Sequence, residues 1–194
     1  MSKHTPQKIK PAACRLAGLV LLATVVAGCT LFEEKKKPPP CPRVSVLAET
    51  AKVAKFGPEP GRDLIDVIFE GKLADVQSEC GFRTAGAKGK GKLSMDVGVI
   101  IEITRGPANK DGRALFDYFV TITDTQRRIL NKKTFQTGAI FPENSARLIL
   151  TDDPVNLTIP VRGGQTGDDF LVFVGFQLSA EELRYNQKRH TGGR

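Results

Sequence analysis

The chain has 194 residues, with 29 basic and 21 acidic side chains, a formal net charge of +8 and no tryptophan. That length holds one domain with appendages. Four of the basic residues and none of the acidic ones fall in the first 28 positions, so the remainder carries 29 − 4 = 25 basic against 21 acidic residues, a net of +4; so mild an excess argues against a nucleic-acid partner.

The first segment has the layout of a secretory signal. Lys3, Lys8, Lys10 and Arg15 give a positive start, and Leu16 to Val26 is an apolar run that ends in small residues. The run is short for a membrane span, which needs ~20 apolar residues. Val26-Ala27-Gly28-Cys29 resembles the lipobox of bacterial lipoproteins. The resemblance implies a diacylglycerol on the Cys29 sulfur, cleavage before Cys29, and acylation of the new amino terminus. More than one acyl chain meets the requirement for stable anchoring. Thr30 at the next position leans toward the outer membrane rather than retention in the inner one. Residues 1–28 are thus expected to be removed, and no cofactor is implied.

Residues 29–40 read as a lipidated tether. They are charged, then proline-rich at Pro38-Pro39-Pro40, and show no apolar period. A domain over 41–187 follows, dominated by period two. Leu93, Met95, Val97, Val99, Ile101 and Ile103 fall on one face of a long strand, with Ile100 as the exception on the other. Phe116, Tyr118, Val120 and Ile122 mark a second strand. Val155, Leu157, Ile159 and Val161 mark a third. Phe170, Val172, Val174, Phe176 and Leu178 mark a fourth, whose Leu171 and Phe173 suggest cover on both faces. Weaker strand signals lie at 43–48, 65–77, 127–135 and 146–151. Turn chemistry separates them at Gly57-Pro58, Pro60-Gly61, Gly106-Pro107, Asp111-Gly112, Asp153-Pro154 and Gly163-Gly164. The expected fold is all-β: an immunoglobulin- or fibronectin-like antiparallel β-sandwich with a short C-terminal helix. Ser179-Ala-Glu-Glu182 is a capping box that starts that helix, which is expected to run to Gln187 and to dock through Leu183. Residues 188–194 read as a basic, disordered tail.

Of four cysteines, Cys14 leaves with the signal and Cys29 carries the lipid. Cys41 and Cys80 remain as a pair in an oxidising compartment, where a disulfide is the default and two free thiols the alternative. If the strands beside them pair antiparallel, both cysteines lie at one end of a sheet.

Few motifs carry chemistry. Gly86 to Lys92 nearly matches the phosphate-binding pattern G-x-x-x-x-G-K-[ST], but Leu93 stands where Ser or Thr is needed and a strand follows where the pattern needs a helix. What remains is a cationic loop, with Lys88, Lys90 and Lys92 as candidate contacts to a polyanion such as lipid phosphate or acidic glycan. His190 is the only histidine after the signal, which excludes histidine triads and multi-histidine metal sites. Asp152-Asp153 and Asp168-Asp169 are the remaining carboxylate pairs, read as solvated turn residues before general acids or calcium ligands. Asn156-Leu-Thr158 fits a glycosylation acceptor but lies in a strand, where chance is the better reading. Phe116, Tyr118, Phe119, Phe170, Phe173 and Phe176 fit a core better than an aromatic groove. No catalytic residue and no metal site is predicted.

Cys41-Pro-Arg-Val-Ser-Val-Leu47, Arg105-Gly-Pro-Ala108 and Val174 to Asn186 are similar to stretches in lipoproteins of alphaproteobacteria that have no assigned activity. The resemblance adds nothing beyond the lipidated Cys29. The expectation is therefore a non-enzymatic module of the cell envelope, held to a membrane by its lipid and facing the periplasm, with an envelope protein as partner. The alternative is a polyanion- or peptidoglycan-binding module acting through residues 86–92.

Overall fold

The computed structural model describes residues 38–58, 62–85 and 90–191. The expected signal, Cys29, most of the tether and Lys88 lie outside them. The described residues form nine strands, one α-helix and three single-turn 3-10 helices at Ala48–Thr50, Leu64–Asp66 and Gly167–Asp169. The strands are β1 (Arg43–Val46), β2 (Lys52–Phe56), β3 (Val67–Ala85), β4 (Lys90–Arg105), β5 (Arg113–Asp124), β6 (Ile129–Ile140), β7 (Arg147–Thr151), β8 (Val155–Val161) and β9 (Phe170–Phe176). The helix, α1, spans Ala180–Thr191.

Period two becomes burial wherever one face of a strand meets the core. Leu93, Met95, Val97, Val99, Ile101 and Ile103 of β4 are each at most 1% exposed, while Ile100 faces outward and is half-buried. β8 alternates without fault: Val155, Leu157, Ile159 and Val161 are buried and the residues between them exposed. Truncating Leu93, Met95, Ile101 or Ile103 to alanine would cost about 2–5 kcal/mol, because the packed neighbours only partly collapse into the hole.

The strands form two sheets, ordered β1-β9-β5-β6 and β2-β3-β4-β7, with β8 also paired to β4. All pairings are antiparallel except β1 on β9, which is parallel. β4 takes β3 along one side. On its other side Gly91–Val97 pair with β8 and Ile100–Thr104 with β7. β7 and β8 are therefore two halves of one sheet edge, interrupted at Asp152-Asp153-Pro154. One apolar cluster draws on both sheets, from Val53 and Phe69 through β4 and β5 to Val172 and Phe176. Phe116 sits in it, 5.4 Å from the ring of Phe176 and 6.1 Å from that of Phe69. Five of the six aromatics in the two aromatic strands are buried and Phe173 is half-buried, so they form core rather than a groove. The outer face of β9 is also covered, as its sequence suggests. A Cβ on Gly175 would fall 2.0 Å from the Thr50 hydroxyl and 2.8 Å from the Phe119 ring.

Several boundaries differ from expectation, among them the end of β6, expected at 135 and found at Ile140. β2 was not foreseen, because Val53 and Ala54 between lysines give almost no apolar signal; its backbone is held by β3. β3 continues past residue 77 to Ala85, because β4 supplies a ladder for polar residues that have no propensity signal of their own. Lys90 and Lys92 consequently belong to β4 and not to a loop. The helix continues past Gln187 to Thr191, so Lys188 and Arg189 are helical rather than part of a disordered tail, and residues 192–194 lie outside the description.

Cys41 and Cys80 form the expected disulfide, with Cα atoms 5.9 Å apart. The expected geometry behind it does not hold. Cys41 precedes β1 in one sheet and Cys80 lies within β3 of the other, so the bridge ties the two sheets together instead of pairing neighbours within one.

Candidate functional site: a free sheet edge and a cationic end

The paired aspartates serve the fold first. The break between β7 and β8 turns Asp152 toward the opposite sheet, with its amide on the Val99 carbonyl at 3.3 Å. Its carboxylate accepts the Tyr118 hydroxyl at 2.7 Å and the Thr137 hydroxyl at 3.3 Å. Tyr118 is 1% exposed and stacked on Phe135 at 5.4 Å. Burial, reinforced by the hydrogen bond to Asp152 and the charges of Asp152 and Asp153, holds its phenol protonated far beyond the usual tyrosine range. Asp153 is exposed at the rim of an open cavity of about 490 Å³ that Lys133, Gln136 and Asn156 also line. Asp169 closes a capping turn by accepting the Thr166 amide at 2.8 Å, and Asp168 is exposed. Asn156 is exposed and hydrogen-bonded to Asp96. Among the described residues no group of three or more His, Cys, Asp or Glu is placed to hold a metal ion.

The lysine motif is only partly visible. Lys88 lies outside the described residues. Lys92 is exposed and stands opposite Arg83 across the β3–β4 hairpin. Register places further cations at the same end of the two sheets. Arg43 opens β1 opposite Leu171, Asp124 closes β5 opposite Phe170, and Gly91 faces Val161 just before Arg162. The described cations there are Arg43, Arg83, Lys92, Arg127, Arg128 and Arg162, all exposed. The acids are Asp124, Asp168 and Asp169. Asp124 is taken by Arg128 at 2.6 Å, and hydrogen bonds from the Arg128 backbone and guanidinium outweigh desolvation to hold its carboxyl below the usual range.

β6 is the longest edge strand among the described residues. β5 pairs one side of it; among the described residues nothing pairs the other. Twelve residues without a proline present that open ladder, and Ile129, Leu130 and Ile140 are 66%, 54% and 71% exposed. Natural sheets blunt such edges with lysines, prolines and bends. The neighbouring edge uses the break at 152–154 and Pro160; β6 has only Lys132 and Lys133 at its centre. Lys132 is partly committed, with its ammonium 4.3 Å from the centre of the Phe119 ring and donating to Gln177 at 2.8 Å.

A second, charged cleft of about 360 Å³ lies where α1 crosses β2 and β3. The capping box forms as expected, Ser179 and Glu182 exchanging bonds at 2.7 and 3.2 Å. Docking runs less through Leu183 than through Asn186, whose buried amide donates to the carbonyls of Glu49 and Lys52, and Tyr185, edge-on to Phe56 at 4.9 Å. Ion pairs Arg189–Glu70 at 2.8 Å and Arg147–Glu102 at 3.1 Å occupy the cleft. No helix among the described residues is long and apolar enough to cross a membrane.

No protein-family model, curated protein or solved structure matches this chain. The functional reading therefore rests on the two surfaces just described. Sequence reasoning singled out Lys92 but missed Arg83 opposite it and the open edge of β6. Nothing in Ile129–Ile140 itself says that one side of the strand lacks a ladder partner, since pairing is made by the backbone.

Proposed function

We propose that this chain is a membrane-anchored periplasmic lipoprotein whose sandwich acts as a structural or protein-interaction module of the cell envelope. The observation that carries the reading is the open edge of β6. An extended segment of a partner can add to it as a further strand, with main-chain hydrogen bonds giving affinity and alternate side chains giving selectivity. If two β6 edges paired antiparallel about this lysine pair, Lys132 of one would stand opposite Lys133 of the other, and like charges directly opposite are destabilising. The same lysines favour a partner segment with acidic residues at its centre and apolar ones at its ends. Anchoring rests on the lipobox-like Val26–Cys29, which places the domain within reach of proteins in the same membrane, with Thr30 favouring the outer one. The immunoglobulin- or fibronectin-like description is kept for the architecture of two facing sheets; the strand order is this chain's own. We read no enzymatic role. A second reading, a polyanion- or peptidoglycan-binding module, is favoured by the pairing of Arg83 with Lys92 beside the 86–92 motif.

The test is crosslinking and recovery from intact cells of the full-length protein, compared with Cys29→Ala and with Lys133→Glu combined with Leu130→Asp. Envelope proteins recovered by the wild type and lost with either variant are expected. An unchanged set from the β6 variant, with its circular dichroism intact, would remove the edge from the proposal.

A further inference from the structure

We propose that the end of the sandwich from which the tether leaves is a docking face for the phosphate headgroups of anionic phospholipid, so that the domain stands on its own membrane in a fixed orientation. The inference rests on the lipid-anchor reading above. Two observations carry it.

The first is where the undescribed chain begins. Pro40 is fastened to the domain, since its carbonyl accepts the Gly167 amide at 3.0 Å and Cys41 beside it is bridged to Cys80. The fit is close: a Cβ on Gly167 would lie 2.2 Å from the Pro40 oxygen. The anchor side of the domain is therefore fixed at the β1 and β9 starts. Twelve residues join Cys29 to Pro40. At the ~3.3–3.6 Å per residue that bounds any chain, the eleven steps reach at most about 40 Å, several times the ~8 Å over which charges act at physiological salt. The tether permits contact without enforcing it, so surface charge decides whether the domain lies down or floats.

The second is that charge. Arg43, Arg83, Lys92, Arg127, Arg128 and Arg162 are exposed at this end against Asp124, Asp168 and Asp169, six minus three, a net of +3. One of the acids is neutralised by Arg128 and another is bound to a backbone amide. At the far end the described charges are Arg62, Arg105, Lys110, Arg113 and Arg147 against Asp63, Asp66, Asp111 and Glu143, five minus four, a net of +1. Each cation held near an anionic leaflet adds attraction that salt screens, and guanidinium groups also donate paired hydrogen bonds to phosphate. Docked this way, the strands run away from the surface and the whole length of the β6 edge is open to a neighbour in the same membrane.

The experiment uses the full-length protein purified from membranes and reconstituted into vesicles of zwitterionic lipid alone or containing phosphatidylglycerol. Hydrogen exchange by mass spectrometry reads the amides of 124–128 and 162–166, with 106–112 as the internal control. The expected result is exchange about tenfold slower at the first two segments on anionic vesicles at low salt, reversed by high salt and absent from the control. Arg83→Glu with Lys92→Glu and Arg162→Glu should abolish the slowing, with unchanged exchange in the β4 core showing that the fold survives. Equal exchange on both kinds of vesicle would overturn the docking face. So would slowing by soluble peptidoglycan fragments and not by lipid, which would assign the face to glycan. The mass of the Cys29 peptide reads the anchor separately. An unacylated Cys29 sinks the lipoprotein reading, and salt-sensitive flotation of that protein with anionic vesicles would still uphold the face.

Discussion

The hydrogen bond from Tyr118 to Asp152 links the two sheets through ends that differ sharply in burial, and removing either end has an unequal cost. Tyr118 is 1% exposed, and its hydroxyl has the 2.7 Å bond to Asp152; Asp152 is half-buried and keeps Thr137 at 3.3 Å as a second donor. Asp152→Ala removes a bond to a charged acceptor and leaves a buried hydroxyl unpaired, which costs about 3 kcal/mol. Tyr118→Phe removes the hydroxyl itself, keeps the ring against Phe135 and leaves a carboxylate that water can reach, costing about 1 kcal/mol. The double variant has no orphaned group and should cost about 2 kcal/mol, well short of the ~4 kcal/mol that additivity gives, a coupling of about 2 kcal/mol. Urea unfolding with the Cys41–Cys80 bridge intact reads these values. With a slope of ~2 kcal/mol per molar, the midpoint falls by about 1.5 M for Asp152→Ala and about 0.5 M for Tyr118→Phe. Alkali supplies an independent reading. A phenol whose folded pKa is raised contributes stability that is present below the ordinary tyrosine value of 10 and lost as pH rises above it; Tyr118→Phe should flatten that loss. Equal costs for the two single variants, or simple additivity in the double, would refute the view that burial of the hydroxyl sets the cost.

Two further outcomes follow from named contacts. Replacing Cys41 and Cys80 by alanine opens a loop closed across 39 positions and should lower stability by about 4 kcal/mol, measured by the same unfolding; a loss below ~1 kcal/mol would mean the two sheets hold each other without the bridge. For Glu182, burial works against the charged form, but hydrogen bonds from Ser179 and from Lys55, 3.1 Å away, outweigh it and hold the carboxyl below its ordinary 4.5. Its contribution is therefore present above that value and lost as pH falls through the lowered one, so acid should release α1 before the sheets. Far-ultraviolet circular dichroism and Tyr185 fluorescence should show this step, and Glu182→Gln should carry it to neutral pH as a partial loss of helix docking.

The amino-acid sequence by itself determined which residues face inward. β4, β5, β8 and β9 are legible because their periodicity is local: alternate side chains of one strand point to opposite faces whatever lies beside it. The capping box of α1 is legible for the same reason, its partners being three residues apart. The cysteine pair was legible by elimination. What tertiary structure alone decided is who lies beside whom. Nothing in Arg147–Thr151 and Val155–Val161 says that both pair with β4, nor in Arg43–Val46 that it runs parallel to β9, since ladder partners are chosen by backbone groups that every residue shares. β2 had too little apolar surface to be read, and became a strand because β3 offered hydrogen bonds that Lys52–Phe56 could accept. The same non-local choice converted Asp152 from a turn residue into the polar link to Tyr118, carried the Cys41–Cys80 bridge across two sheets, left β6 with β5 on one side and, among the described residues, nothing paired on the other, and brought six cations from separate stretches of the chain to the end where the tether joins the domain.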